Sequence, residues 1–64
     1  MDKSRFGSRW PDVRHRVKSN WSRLTDEELD QVKGDADTLI SMIQEKYEEP
    51  RTSIEMQLER LLAA

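Results

Sequence analysis

The chain has no cysteine, so it has no disulfide staple, no thiolate nucleophile and no thiolate-based zinc site. A reducing cytoplasm suits that composition. Histidine occurs once, at position 15, which leaves no His-rich ligand set. Only two glycines and two prolines punctuate the 64 residues, so few backbone breaks separate the elements. Aromatic residues make up 6%. No apolar run approaches the roughly 18 residues of a membrane span, and no signal-peptide pattern opens the chain. There is no Gly-rich phosphate loop, no Ser/His/Asp set and no aromatic-basic RNP-type motif.

What is present is charge. Charged residues are 38% against 34% hydrophobic, a composition near the disordered border that only strong periodicity offsets. A chain this short forms one domain and buries only about 60% of the surface exposed when unfolded. The net charge of −2 hides a division. Residues 1–23 carry seven Lys/Arg against two Asp, a net of +5, and residues 24–64 carry four against eleven, a net of −7. The basic segment either seeks an anionic partner or lies against the acidic remainder of its own domain. The second reading is preferred.

Residues 1–9 show no periodicity and include Gly7, and they read as a flexible lead-in, with Phe6 able to fold back on Trp10. The domain proper is expected over 10–64. A first helix should begin at Pro11, whose missing N–H is no loss in a first helical position. Trp10, Val13, Val17, Trp21 and Leu24 then fall within a stripe of roughly 80°. Arg14 and Lys18 flank one edge of that stripe, while Arg16 and Arg23 lie on the far side.

Thr25 and Glu28, directly ahead of Leu29, form a capping box. Asp26, Glu27 and Glu28 crowd the first turn, where the helix dipole favours negative charge. The helix should end near Lys33, with Gly34 supplying a positive φ. Leu29 and Val32 are its only large apolar anchors. A third helix is expected from about Asp35 to Tyr47, with Ala36, Leu39, Ile40, Ile43 and Tyr47 inward, Ser41 small enough to admit a neighbouring helix, and Met42 pointing away. Glu48-Glu49-Pro50 breaks the chain. A fourth helix starts at Pro50, or at Thr52 if Thr52 and Glu55 make a second capping box, and runs to about Leu62 with Ile54, Leu58, Leu61 and Leu62 inward. No strand pattern occurs, so the fold class is all-α. The core is expected to hold Trp21, Leu24, Leu29, Leu39, Ile43, Tyr47 and Leu58.

Each residue type able to carry chemistry has a structural reading that accounts for it. His15 lies off the apolar stripe and has no partnered carboxylate, serine or second ligand. The run Asp26-Glu27-Glu28-Asp30 lacks the alternating oxygens and central glycine of a calcium loop, and capping explains it. Asp35 and Asp37 suit the opening of the third helix. Trp10 and Trp21 among basic residues could be a stacking platform or a membrane-interface anchor, but they share a face with Val13 and Val17 and are expected in the core. Met42 and Met56 lie off the inner faces. No catalytic, cofactor-binding or metal-binding residue is therefore assigned, and no cofactor is expected.

Several of these residues carry a family resemblance. Trp10, Val13 and Val17 are followed by Trp21, Leu24, Thr25, Asp26, Glu27, Glu28 and Leu29. Gly34, Asp37 and Leu39 come next, and Ile43, Gln44, Glu45, Lys46 and Tyr47 complete the pattern. Over about residues 10–62 the chain resembles the CsbD family of small bacterial stress-response proteins. It departs at His15 and Ser41, where relatives often have Gly, at Met42 for a usual Lys, at Glu48 for the Gly after the Tyr, and at Pro50 for a Ser cap. The resemblance implies two helical hairpins packed crosswise in a SAM-domain-like bundle, a cytoplasmic location, expression under stress, and no enzymatic activity. The leading expectation is a non-enzymatic, monomeric stress-response protein, open to a protein partner and without specific nucleic-acid recognition. The alternatives are a nucleic-acid-binding module and a membrane-surface protein, each using the basic first helix.

Overall fold

Helix α1 spans Lys3–Asn20, α2 Asp26–Val32, α3 Ala36–Tyr47 and α4 Arg51–Ala63. The structure, a computed structural model, describes residues 3–63, and among these there is no strand. The fold is all-α: two helical hairpins packed crosswise. α1 lies against α4 and α3, α4 against α3, and α2 against α3. The Cα radius of gyration is 10.3 Å, against about 10.7 Å for a compact domain of this length.

The expected lead-in is corrected from residue 3 onward, while positions 1 and 2 lie outside the described residues. α1 begins eight residues before Pro11, which sits inside the helix. The apolar stripe extends one turn earlier than expected: Phe6 precedes Trp10 by four residues and is fully buried, its ring 5.4 Å from the Trp10 indole. Pro11 has a helix-compatible φ, but inside the helix it removes the donor that would meet the Gly7 carbonyl and its ring crowds that carbonyl, a cost of about 3 kcal/mol. Burial of Phe6, worth about 1.5–3 kcal/mol, offsets that cost together with burial of Trp10.

The other end of α1 stops earlier than the stripe predicts. Asn20 is its last residue, yet Trp21 and Leu24 are buried in the turn that follows. The Arg23 N–H donates to the Tyr47 hydroxyl at 2.8 Å, and this contact across the fold takes the place of a further helical turn.

α2 starts where its capping box places it. The Glu28 N–H donates to Thr25 Oγ1 at 3.2 Å, and the Thr25 N–H donates to Glu28 Oε1 at 3.0 Å. It ends with two successive left-handed residues, Lys33 at φ 51° and Gly34 at φ 79°. α3 is capped by Asp35, whose carboxylate accepts from the Asp37 N–H at 3.0 Å. It closes at Glu48, in the left-handed region at φ 53°, with the Glu48 N–H donating to the Gln44 carbonyl at 3.0 Å. α4 starts between the two positions considered. The Ile54 N–H donates to the Pro50 carbonyl at 3.2 Å, and Arg51 is the first helical residue. The Thr52–Glu55 box does not form; Arg51 Nε donates to Glu55 at 3.1 Å instead.

The core joins Phe6, Trp10, Val13 and Val17 of α1 to Trp21 and Leu24 of the turn, Leu29 and Val32 of α2, Ala36, Leu39, Ile40 and Ile43 of α3, and Ile54, Leu58 and Leu62 of α4. Tyr47, expected in this core, is half-buried at its edge, because its hydroxyl serves the α1–α2 turn. Ser41 is exposed and admits no neighbour, whereas Ala36 is the small buried residue of α3. Met42 packs partly against the core rather than pointing away.

Candidate functional site

The residues singled out from the sequence do not converge on one place. They divide between the core, the helix ends and the seams between helices. Trp10 and Trp21 are buried at 7% and 1% exposure, so neither indole face is open for stacking. His15 is exposed on α1.

The acidic run of α2 is dispersed among four partners. Asp26 pairs with Lys18 at 2.7 Å, Asp30 with Arg14 at 2.5 Å, and Glu28 with both the Thr25 cap and Lys46, the latter at 2.8 Å. Among the described residues, no group of three or more His, Asp or Glu is arranged to hold a metal ion. Asp35 is committed to its cap, and Asp37 pairs with Arg51 at 2.7 Å.

The ionisation of these groups follows their partners. The Lys18 ammonium, hydrogen-bonded to Asp26, holds that carboxyl below its ordinary range. Glu28 is lowered first by Lys46 and next by the Thr25 backbone N–H. The carboxylates of Asp37 and then Glu55 raise the Arg51 guanidinium.

The basic helix is likewise engaged within the molecule. On one edge, Arg14 and Lys18 meet α2; Arg14 also donates to the Asp26 carbonyl at 3.3 Å. On the other edge, Arg9 donates to the Leu62 carbonyl and Arg16 to the Leu61 carbonyl, the latter at 3.1 Å. Both close carbonyls in the last turn of α4, which lack helical partners and carry the negative end of the dipole. Arg23 reaches the end of α3, its guanidinium 5.6 Å from the Tyr47 ring centre and donating to the Lys46 carbonyl at 3.4 Å. The arrangement matches the reading in which the first helix lies against its own acidic remainder.

The roles of Arg9, Arg16 and Tyr47 were not anticipated. The faint signal for the arginines was position: Arg9 and Arg16 stand seven apart, which places them on one edge of a helix. Tyr47 gave none, since an inward aromatic and an edge aromatic share the same spacing. Met56, 57% exposed, is the one large hydrophobic side chain open to solvent among the described residues. No helix of the described residues is long and apolar enough to cross a membrane.

No family model matches the chain, and no solved structure does. Among curated proteins it is similar to the UPF0337 protein YjbJ of Escherichia coli K12, with 36% identity over 47 residues that cover 73% of this chain and 68% of the relative. YjbJ of Salmonella typhimurium is 34% identical over 47 residues, covering 73% and 67% of the two chains. The UPF0337 protein NE2439 of Nitrosomonas europaea is 37% identical over 49 residues, 77% of this chain and 52% of that protein.

Proposed function

The chain belongs to the CsbD-like family of UPF0337 proteins, and on that premise we propose that it is a non-enzymatic, stress-associated cytoplasmic protein that acts as a folded monomer through its surface. The observation that carries the non-enzymatic part is where the polar chemistry goes. Thr25, Glu28, Asp26, Asp30, Asp35 and Asp37 close helix ends or pair with Lys18, Arg14, Lys46 and Arg51. Side chains spent on caps and seams are held away from the convergent geometry that general acid–base or nucleophilic catalysis needs. The stress-associated part is supported by the family resemblance alone.

The same observation weighs against the nucleic-acid reading. A phosphate binder gathers free cations on one side, whereas Arg14 and Lys18 face carboxylates and Arg9 and Arg16 face the end of α4. The test is affinity capture from stressed and unstressed cells, with and without nuclease, alongside measurement of the protein's level. A rise in level under stress and captured protein that survives nuclease are expected. An unchanged level removes the stress assignment, and capture abolished by nuclease replaces the reading with nucleic-acid binding.

A further inference from the structure

We propose that residues 3–10, the part of α1 ahead of Pro11, form a latch that opens as a unit while the rest of the domain stays folded. This goes beyond the functional reading above by giving the domain a second, accessible state.

The segment has little helical stability of its own. A helix of eight residues does not persist alone in water. Its first turn contains no acidic residue, while Arg5 brings positive charge to the end where the dipole disfavours it. Gly7 lies inside it and costs helical stability relative to alanine. The Ser8 hydroxyl donates back to the Ser4 and Arg5 carbonyls, each at 3.2 Å, a contact that weakens and bends helices. Pro11 then removes the N–H that would have met the Gly7 carbonyl, and it disfavours helical geometry at Trp10. One of the four backbone bonds that would join this segment to the remainder of α1 is therefore missing, the one from position 11.

What holds the segment is tertiary, and its own Trp10 is part of that hold, 7% exposed in the core. The Phe6 ring is fully buried, beside Trp10. The Gly7 backbone lies against Gly34: a Cβ built on Gly34 would stand 3.3 Å from the Gly7 Cα. Arg9 donates to the Leu62 carbonyl. Beyond Pro11, α1 has its own anchors in Val13 and Val17, which are fully buried, and in the Arg14 and Lys18 ion pairs to α2. Releasing residues 3–10 takes Phe6 and Trp10 out of the shared core while these other anchors remain, and in the proposed latch this opening costs less than global unfolding. The open state presents Phe6 and Trp10 in one segment with Arg5 and Arg9, a basic-aromatic surface whose two rings the closed state keeps buried.

The two tryptophans make the test direct, since Trp10 reports on the latch and Trp21 on the body. Amide hydrogen exchange by NMR on the intact chain should show Gly7–Trp10 opening together, at least about tenfold faster than Val13–Val17. Pro11→Ala restores a donor for the Gly7 carbonyl and should slow exchange across 7–10 by about tenfold or more. In Trp21→Phe, acrylamide should reach Trp10 at urea concentrations below the global midpoint. In Trp10→Phe, Trp21 should stay protected up to that midpoint. Protection that rises smoothly from Gly7 to Val17 is simple end fraying and overturns the latch. A single transition shared by both tryptophans overturns it too, and so does a Pro11→Ala variant whose exchange across 7–10 is unchanged.

Discussion

The Tyr47 hydroxyl accepts a hydrogen bond from the Arg23 N–H at 2.8 Å, tying the end of α3 to the turn that follows α1. Around that bond, the Arg23 guanidinium stands 5.6 Å from the Tyr47 ring centre, Lys46 Nζ donates to the Arg23 carbonyl at 3.4 Å, and Lys46 pairs with Glu28 of the α2 cap at 2.8 Å. The turn, the cap and the end of α3 thus share one knot. Tyr47→Phe keeps the ring and removes the acceptor. It should lower stability by about 0.5–1.5 kcal/mol, read by urea unfolding, while far-ultraviolet circular dichroism stays unchanged. A variant as stable as the parent would show that water replaces the hydroxyl without loss.

The cap and the anchor of α2 should separate in magnitude. Thr25→Ala removes the acceptor for the Glu28 N–H and should cost about 1 kcal/mol. Leu29→Ala, at a core position that is 1% exposed, should cost roughly 2–4 kcal/mol, a large share of a small domain's stability. Gln31→Ala, on the exposed face, should be nearly neutral. Thermal melts that rank the three in any other order would break the assignment.

Glu48 offers a gain. It sits at φ 53°, a left-handed position that costs a residue with a Cβ roughly 1–2 kcal/mol. Glycine removes that cost but adds freedom to the unfolded chain, worth about 0.4–1 kcal/mol. Glu48→Gly should therefore stabilise by about 0.5–1 kcal/mol, measured as a higher urea midpoint. A lower midpoint would mean that the carboxylate contributes more than its backbone costs.

Acid should weaken the fold partly through Asp26 and Glu28. Both ionise below their ordinary values of 3.8 and 4.5 in the folded state. The unfolded chain therefore takes up protons first as pH falls. The stabilising contribution is whole above the ordinary values and drains away as pH drops through and below them. Glu28→Gln should lower the melting temperature at pH 7, and its gap from the parent should narrow below about pH 4.5. A gap constant from pH 7 to pH 3 would assign the loss to the cap geometry and not to the charge.

Duplex DNA gives the last check on the basic helix. Fluorescence anisotropy should show only weak, sequence-independent binding, gone by about 200 mM salt. Sub-micromolar, sequence-selective binding with quenched tryptophan at physiological salt would contradict the burial of Trp10 and Trp21.

The features legible in the sequence are those whose cause lies within four residues along the chain. The Thr25–Glu28 box, the stop at Gly34, the Asp35 opening of α3 and the inward faces of α3 and α4 are all local. Hydrogen-bond reach and helical period decide them before any second element arrives. The basic first helix against an acidic remainder was also readable as charge, though not as partners.

Tertiary structure decided the rest, wherever contacts distant in sequence outweigh a local preference. Gly7, Ser8 and Pro11 argue against a helix over residues 3–10, yet α1 includes them because burying Phe6 beside Trp10 and laying Gly7 on Gly34 offset that bias. The apolar stripe argues for a helix through Leu24, yet α1 stops at Asn20 and the Arg23 N–H goes to Tyr47. Arg9 and Arg16 could have faced solvent, but the open carbonyls at the end of α4 lie within their reach only once α1 and α4 have packed. No window of the sequence contains both partners of those contacts, which is why a local reading could not foresee them.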